Sequence, residues 1–275
     1  MKVHAIILGA QKCGTTTLFD LMAVHPRLVG CSTKEPHFFS TAKDWRKEWP
    51  RYEALFPKRE GALLFEASTS YTFHPLRNPD IAGDLYAHNP DMRLIYLVRD
   101  PVQRVLSSWM HAFERGYTDL QLEQEIIANR LHLDATRYAT QIGPFIRRFG
   151  RDAVLVLDLA ELEADAHGTL QRVAEHLGID PGGFPPPDGR RLNVSVGGGK
   201  VHHRWDHPGL VLRALRKLSP AWWRSLTDNR RRAFASKPAV PPHLRRLIVD
   251  QLSVEIDALA VLMGRDLRHW KRQDG

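Results

Sequence analysis

Short apolar runs recur along the chain and predict the strands of a central sheet. Four of these runs span positions 3–9, 62–68, 93–100 and 153–159. Most of their positions are apolar, without a strict alternation with polar residues, which is typical of strands that are buried on both faces. The pattern therefore favours a parallel sheet that is covered by helices on either side.

The segments between and after these runs carry the helical period. Their apolar residues recur every three or four positions, which is the spacing of one face of an α-helix. The predicted helices span 14–24, 78–88, 162–177 and 244–263, and a further one starts at Pro101. Strands that alternate with helices in this way indicate an α/β fold, here a P-loop-like three-layer fold with a central parallel sheet flanked by helices.

Length and composition are those of one folded domain. The chain has 275 residues, of which 43% are hydrophobic and 25% are charged, and these values exclude wholesale disorder. We expect a single domain over 1–275, with an α/β nucleotide-binding core over 1–180. The remainder, 181–275, is expected to be a loop followed by a helical, basic part.

Positive charge is concentrated near the end of the chain. The formal net charge is +8, and the segment 200–240 holds ten lysines and arginines but only two acidic residues. A solvated basic face, a site for a polyanionic cofactor or acidic substrate, and a nucleic-acid contact all remain open for this segment. The chain has no helix-turn-helix, zinc-finger or RNA-binding signature, so we expect no nucleic-acid partner.

Two features bear on where the protein works. The two cysteines, Cys13 and Cys31, are too few for a disulfide framework or a four-cysteine zinc site, and they suit a reducing compartment. The apolar run near the start, 5–8, is far too short for a signal peptide or a membrane span. A cytoplasmic location without a membrane span is expected, and the sequence gives no indication of oligomeric state.

The most specific motif is LGAQKCGTTTL at 8–18, where a predicted strand turns into a helix. Exposed amides at a helix N-terminus attract phosphate, and Lys12 adds a mobile cation. Gly9 and Gly14 have the spacing of the nucleotide-binding pattern G-x-x-x-x-G-K-[ST], but the lysine lies two residues before the second glycine. The segment is therefore interpreted as a phosphate loop with a displaced lysine.

Together with this loop, two later motifs and the end of the chain resemble a known family. KEPHFF at 34–39 and LVRDPVQRVLSSW at 97–109 follow the loop in order, and GRDLRHW occupies 264–270. This set is similar to that of sulfotransferases that use 3′-phosphoadenosine 5′-phosphosulfate (PAPS), in particular the heparan-sulfate type and its bacterial relatives. Family enzymes transfer a sulfuryl group to a hydroxyl or amine, here expected to be on a glycan or small molecule.

The resemblance implies which residues hold PAPS. The residues that match the 5′-phosphosulfate positions are Lys12, Gly14, Thr15, Thr16 and Thr17. Arg99 and Ser107 match those that bind the 3′-phosphate. Lys200 and Arg204 lie in a segment that resembles the loop closing over the nucleotide, and exposed basic residues without a ligand are an equal alternative there.

A transferred sulfonate carries less charge than a terminal phosphoryl group, so magnesium is less needed and no metal is expected. Lys12 would stabilise the leaving phosphate, and Glu35 would act as general base, with His37 as the rival base. Glu66, Tyr71 and Phe38 are candidate acceptor contacts. One departure concerns EASTSY at 66–71, because Ala67 stands where heparan-type enzymes usually carry a lysine.

Alternatives from other classes follow from the same residues. A nucleotide-dependent kinase would also use a phosphate loop, although the order of lysine and metal ligand is wrong for it. A nucleic-acid-binding module would use the basic segment near the end.

His111 and Glu114 are interpreted as a pair on a helix surface.

Overall fold

A parallel sheet of five strands lies at the centre of the protein. The computed structural model describes residues 1–73, 80–185, 234 and 236–272. The strands are β1 (Ala5–Gly9), β2 (Leu28–Gly30), β3 (Leu63–Ala67), β4 (Arg93–Val98) and β5 (Val154–Asp158). Their order in the sheet is β2-β3-β1-β4-β5, and every neighbouring pair is parallel. Strand β1 is fully buried, which explains its unbroken apolar run.

Helices flank the sheet, as the alternating pattern predicts. Helix α1 packs against β1, β2 and β3, while α8 and α10 pack against β5. The helices are α1 (Thr15–Met22), α2 (Phe38–Thr41), α3 (Trp45–Glu53), α4 (Ile81–His88), α5 (Pro101–Glu114), α6 (Leu122–Ala128), α7 (Leu131–Asp134), α8 (Tyr138–Phe149), α9 (Leu159–Ala164), α10 (Ala166–Leu177) and α11 (Pro242–Met263). Short 3₁₀ turns occur at Thr69–Thr72, Arg151–Ala153, Pro181–Gly183 and Arg268–Lys271.

Most predicted elements are present, and the differences have local causes. Strand β2 escaped prediction because a strand of three residues gives almost no pattern. The helix predicted over 162–177 is wrong in its boundaries: it is two helices, α9 and α10. The side chain of Asp165 accepts a hydrogen bond from the Gly168 amide and so starts α10 afresh.

The last helix ties the end of the chain to the core. Helix α11 packs against α5 and α8, and its buried face includes Leu244, Ile248, Leu252 and Leu259, as the periodicity predicts. Trp270 is buried just after it and anchors the tail. No helix within the described ranges is long and apolar enough to cross a bilayer.

The strand order positions the functional loops. The chain passes from β1 through β2 to β3 on one side of β1, and then returns to β4 on its other side. Such a reversal opens a crevice at the carboxyl ends of the strands, where ligands bind in α/β sheets. The loops after β1, β3 and β4 therefore meet at one edge of the sheet.

Candidate active site

The phosphate loop lies between β1 and α1 and has an unusual backbone. Lys12 has a φ of 70°, and Gly14, the N-cap of α1, has a φ of 85°. A Cβ at Gly14 would lie 2.5 Å from Leu159 Cδ1, so both the conformation and the close approach require glycine. The first amides of a helix have no partner within it, and Thr15, Thr16 and Thr17 thus begin α1 with donors available for an anion.

Two arginines from the other motif hold the carbonyl groups of this loop. Arg104 is buried, and its Nε donates to the Gln11 carbonyl at 3.1 Å. Its Nη1 donates to the His132 carbonyl at 2.8 Å and to Thr136 Oγ1 at 3.1 Å. Arg99 Nη1 donates to the Lys12 carbonyl at 3.2 Å. Arg104 is thus a structural tether, whereas Arg99 lies at the rim of the loop.

Several charges converge on Lys12. Burial lowers the pKa of its ammonium, Glu114 and Glu35 raise it, and Arg99 and Arg104 lower it further. A partly dehydrated ammonium binds an anion more strongly than a fully solvated one does, because less water has to be displaced. The environment of Lys12 therefore suits contact with a phosphate or sulfonate oxygen.

Cys13 follows Lys12 and fills the space beneath the loop. Its Sγ lies 3.6 Å from the Tyr138 hydroxyl, which itself donates to the Arg99 carbonyl at 3.0 Å. Burial raises the pKa of the thiol, so Cys13 is not poised as a thiolate nucleophile.

Glu35 and His37, the two rival bases, lie side by side in the loop after β2. His37 Nε2 is 3.6 Å from Glu35 Oε2, and Lys34 Nζ is 3.1 Å from Glu35 Oε1. Thr69 Oγ1 donates to Glu35 Oε1 at 3.4 Å, and His37 Nδ1 lies 2.8 Å from Ser70 Oγ. Both residues are partly exposed, so each can meet an acceptor.

The predicted acceptor contacts are covered in this structure. Glu66, Tyr71 and Phe38 are 0%, 3% and 2% exposed. Phe38 stacks on Tyr52 with ring centroids 4.3 Å apart. They form the support behind the Glu35 loop instead of a surface that an acceptor can reach, because their side chains are packed against each other and their neighbours.

The remaining predicted residues fall into two groups. Ser107 is half-buried on α5, one turn beyond Arg104. Lys200 and Arg204, and with them most of the basic segment 200–240, lie outside the described residues.

A family model and a curated relative place the chain. The model described as "Sulfotransferase family" matches residues 51–182. Heparan sulfate glucosamine 3-O-sulfotransferase 3A1 of Mus musculus is 30% identical over 244 residues, which cover 78% of this chain and 58% of that protein. The chain belongs to the sulfotransferase family. The resemblance inferred from the motifs is confirmed, and the kinase and nucleic-acid alternatives gain no support from these matches.

Two further comparisons agree. Heparan sulfate glucosamine 3-O-sulfotransferase 3B1 of Homo sapiens is 31% identical over 188 residues, covering 64% of this chain and 46% of that protein. The chain thus spans only about half the length of these curated relatives. A crystal structure of a sulfotransferase from Alicyclobacillus acidocaldarius superposes with a TM-score of 0.72 over 99% of this chain and 100% of that one, at 21% identity. It confirms the fold class.

Two further residues of this sulfotransferase-family chain lie near Lys12. His111 and Glu114, which the sequence interpretation took as a pair on a helix surface, are partly buried and interact electrostatically with Lys12. Burial, and then the Lys12 ammonium, lower the pKa of His111 to about 4, so its imidazole is neutral at pH 7. The signal was present: Arg104, Ser107, His111 and Glu114 are three or four residues apart and share one face of α5.

A buried, hydrogen-bonded cluster of side chains lies next to Arg104 and contacts it through the His132 carbonyl. His132 Nδ1 lies 2.9 Å from Ser108 Oγ, and His132 Nε2 lies 3.1 Å from Glu125 Oε1. The three side chains have the chemical order of a hydrolase triad, but none is more than 8% exposed. Because the His132 carbonyl accepts from Arg104, the cluster fixes the tether of the phosphate loop.

Within the described ranges, no group of three or more histidine, cysteine, aspartate or glutamate side chains could hold a metal ion.

Proposed function

We propose that the chain transfers a sulfuryl group from PAPS to a hydroxyl or amine of a glycan or small-molecule acceptor. The observation that carries the proposal is the meeting of two motifs at one sheet edge. Arg99, at the end of β4, donates to the carbonyl of Lys12 in the loop after β1. Two cationic positions suited to two anionic groups of one nucleotide therefore adjoin each other.

The described residues fit such a nucleotide. Lys12 and the N-terminus of α1, with Gly14 and its threonines Thr15, Thr16 and Thr17, would hold the 5′-phosphosulfate. Arg99 and Ser107 would hold the 3′-phosphate. Lys237 adds a cation nearby: its Nζ donates to Gln103 Oε1, and its pKa is lowered by burial and then by the charge of Arg99.

Glu35 is the proposed general base. In the reaction, the bond between sulfur and the bridging phosphate oxygen breaks, a bond from sulfur to the acceptor oxygen or nitrogen forms, and the acceptor proton passes to Glu35. Lys12 would stabilise the charge that develops on the leaving phosphate. His37, 3.6 Å from Glu35, is the alternative base.

Two residues of α5 complete the proposed acceptor side. The neutral imidazole of His111 can accept or donate a hydrogen bond to an acceptor hydroxyl without adding charge. Burial lowers the pKa of Lys12, and the charge of Glu114 opposes that fall.

The test is direct transfer from PAPS. Purified protein is incubated with PAPS and a panel of hydroxyl and amine acceptors, with and without EDTA, and products are detected by mass spectrometry. We expect a mass gain of one sulfuryl group that survives the chelator and is absent in Lys12→Met. Transfer of phosphate from ATP that EDTA abolishes and magnesium restores would overturn the proposal in favour of a kinase.

A further inference from the structure

A carboxylate without solvent contact lies behind the proposed base. Glu66, near the end of β3, is 0% exposed. Three hydroxyl groups donate to it: Ser68 Oγ to Oε2 at 2.7 Å, and Tyr71 and Tyr52 to Oε1 at 2.7 and 2.9 Å. Burial raises the pKa of Glu66 to about 7, and the three hydrogen bonds oppose that rise. The group is thus well paired although it is fully buried.

Two of these hydroxyls continue to the loop that carries the candidate bases. The amide of His37 donates to Ser68 Oγ at 3.0 Å, and the amide of Phe39 donates to the Tyr71 hydroxyl at 3.3 Å. Two separate paths therefore run from the Glu66 carboxylate to the backbone of this loop.

The loop needs this support. Glu35 and His37 have φ values of 57° and 52°, in the left-handed region that side-chain-bearing residues avoid. Such conformations persist only where the surrounding structure imposes them. The hydrogen bonds that the amides of His37 and Phe39 donate to Ser68 and Tyr71 can impose these conformations.

We propose that Glu66 is a positioning residue that orients Glu35 and His37 through Ser68 and Tyr71. Ser68 and Tyr71 both donate to Glu66, so their hydrogens point at this carboxyl group and their lone pairs are turned to the two amides. The inference rests on the proposed function, because it takes the loop to carry the base. It gives Glu66 a role without substrate contact, in place of the acceptor contact expected from sequence.

The paths can be cut one at a time. Glu66→Gln keeps the shape but adds an amide donor, so at least one hydroxyl loses its fixed direction. Ser68→Ala and Tyr71→Phe each remove one path and leave the carboxylate in place, which covers the case in which Glu66→Gln does not fold. Tyr52→Phe is the matched control, because it removes a hydroxyl from Glu66 that lies on neither path and keeps the ring stacked on Phe38.

Turnover and nucleotide binding are measured on all four variants. We expect kcat to fall about 10- to 100-fold in Glu66→Gln, Ser68→Ala and Tyr71→Phe, because small displacements of a catalytic group have effects of that size. Binding of the product nucleotide, 3′,5′-bisphosphoadenosine (PAP), should stay within about twofold of wild type, and Tyr52→Phe should retain its turnover. An equal loss of kcat in Tyr52→Phe, or a parallel loss of PAP affinity, would overturn the proposal.

Hydrogen–deuterium exchange of the segment 34–39 supplies a second readout that needs no turnover. The three path variants should exchange this segment faster, while Tyr52→Phe should match wild type. Unchanged exchange in the path variants would contradict the positioning role. A wild-type protein that transfers no sulfuryl group would refute the proposed function alone, since exchange still decides whether Glu66 holds the loop.

Discussion

The two loops that form the candidate site are held in opposite ways. In the phosphate loop, Arg104 and Arg99 donate to the carbonyls of Gln11 and Lys12. The base loop is the segment 34–39, which carries Glu35 and His37. Its amides at 37 and 39 donate to the hydroxyls of Ser68 and Tyr71, and these hydroxyls donate to the carboxyl group of Glu66. On one side, permanently charged arginines thus bind backbone oxygens, and on the other a buried carboxyl group holds backbone amides through two hydroxyls.

The difference matches what each loop is proposed to do. Because the loop carbonyls accept hydrogen bonds from arginines, they do not face the bound anion. The amides at the start of α1 are therefore the polar groups that remain to bind phosphate. In the base loop, the amides are already hydrogen-bonded to hydroxyls, so the side chains of Glu35 and His37 are the groups that can act on the acceptor. Both loops contain non-glycine residues with positive φ, so each depends on its tether.

The largest expected effect comes from a substitution in the base loop alone. Glu35→Gln keeps the shape of the side chain and removes its basicity, so we expect kcat to fall roughly 10²–10⁴-fold. Binding of PAP, measured by calorimetry, should be nearly unchanged. Near-normal turnover in this variant, with a large loss in His37→Gln, would transfer the role of base to His37.

The next largest effect comes from a substitution beside the phosphate loop alone. Arg99→Ala should weaken PAP binding on the order of 10- to 10³-fold, because charge-assisted hydrogen bonds to the 3′-phosphate are lost. Binding of 5′-adenylate, which lacks that phosphate, should change far less. Calorimetric titration of both nucleotides gives the coupling between Arg99 and the phosphate, with the exposed Arg27→Ala as control. Equal losses for both nucleotides would make Arg99 a purely structural residue.

A third variant separates tether from ligand contact on the same side. Arg104→Met leaves the carbonyls of Gln11 and His132 without their charged donor, and we expect the free energy of unfolding to fall by about 3 kcal/mol. Urea denaturation measures this fall, and Arg99→Ala should show a much smaller one. Equal stability of the two variants would contradict the division between tether and ligand contact.

The smallest effect concerns the pH dependence of stability, in which the two tethers differ. Glu66 has a folded pKa of about 7 against the ordinary 4.5, so its protonated form is favoured by folding. The contribution is full below about pH 4.5 and is lost as pH rises through about 7, by about 1–3 kcal/mol. Arginines stay charged over this range and add no such slope.

Urea denaturation between pH 4.5 and 8 checks this, with Glu66→Gln as the variant. Because glutamine does not titrate, Glu66→Gln should show a flatter pH dependence than wild type over this window. Identical curves for the two proteins would mean that Glu66 is not the titrating group.

Much of this protein follows from its sequence alone. The apolar runs and helical periods determined four of the five strands, the parallel α/β class and the loop at the start of α1. The ordered motifs identified the family and selected Lys12, Glu35 and Arg99. These are properties of neighbouring residues, and local periodicity and turn chemistry therefore reveal them.

Only the tertiary structure decided which distant groups support the site. Arg99 and Arg104 reach loop carbonyls 87 and 93 residues earlier in the chain, and His111 approaches Lys12 from α5, the helix that carries Arg104. Glu66 is turned into the interior, behind Glu35, where the sequence suggested an acceptor contact. Such contacts depend on the order of the strands and on how side chains pack between them, which no local pattern records, because hydrogen bonds between remote residues form only once the sheet is assembled.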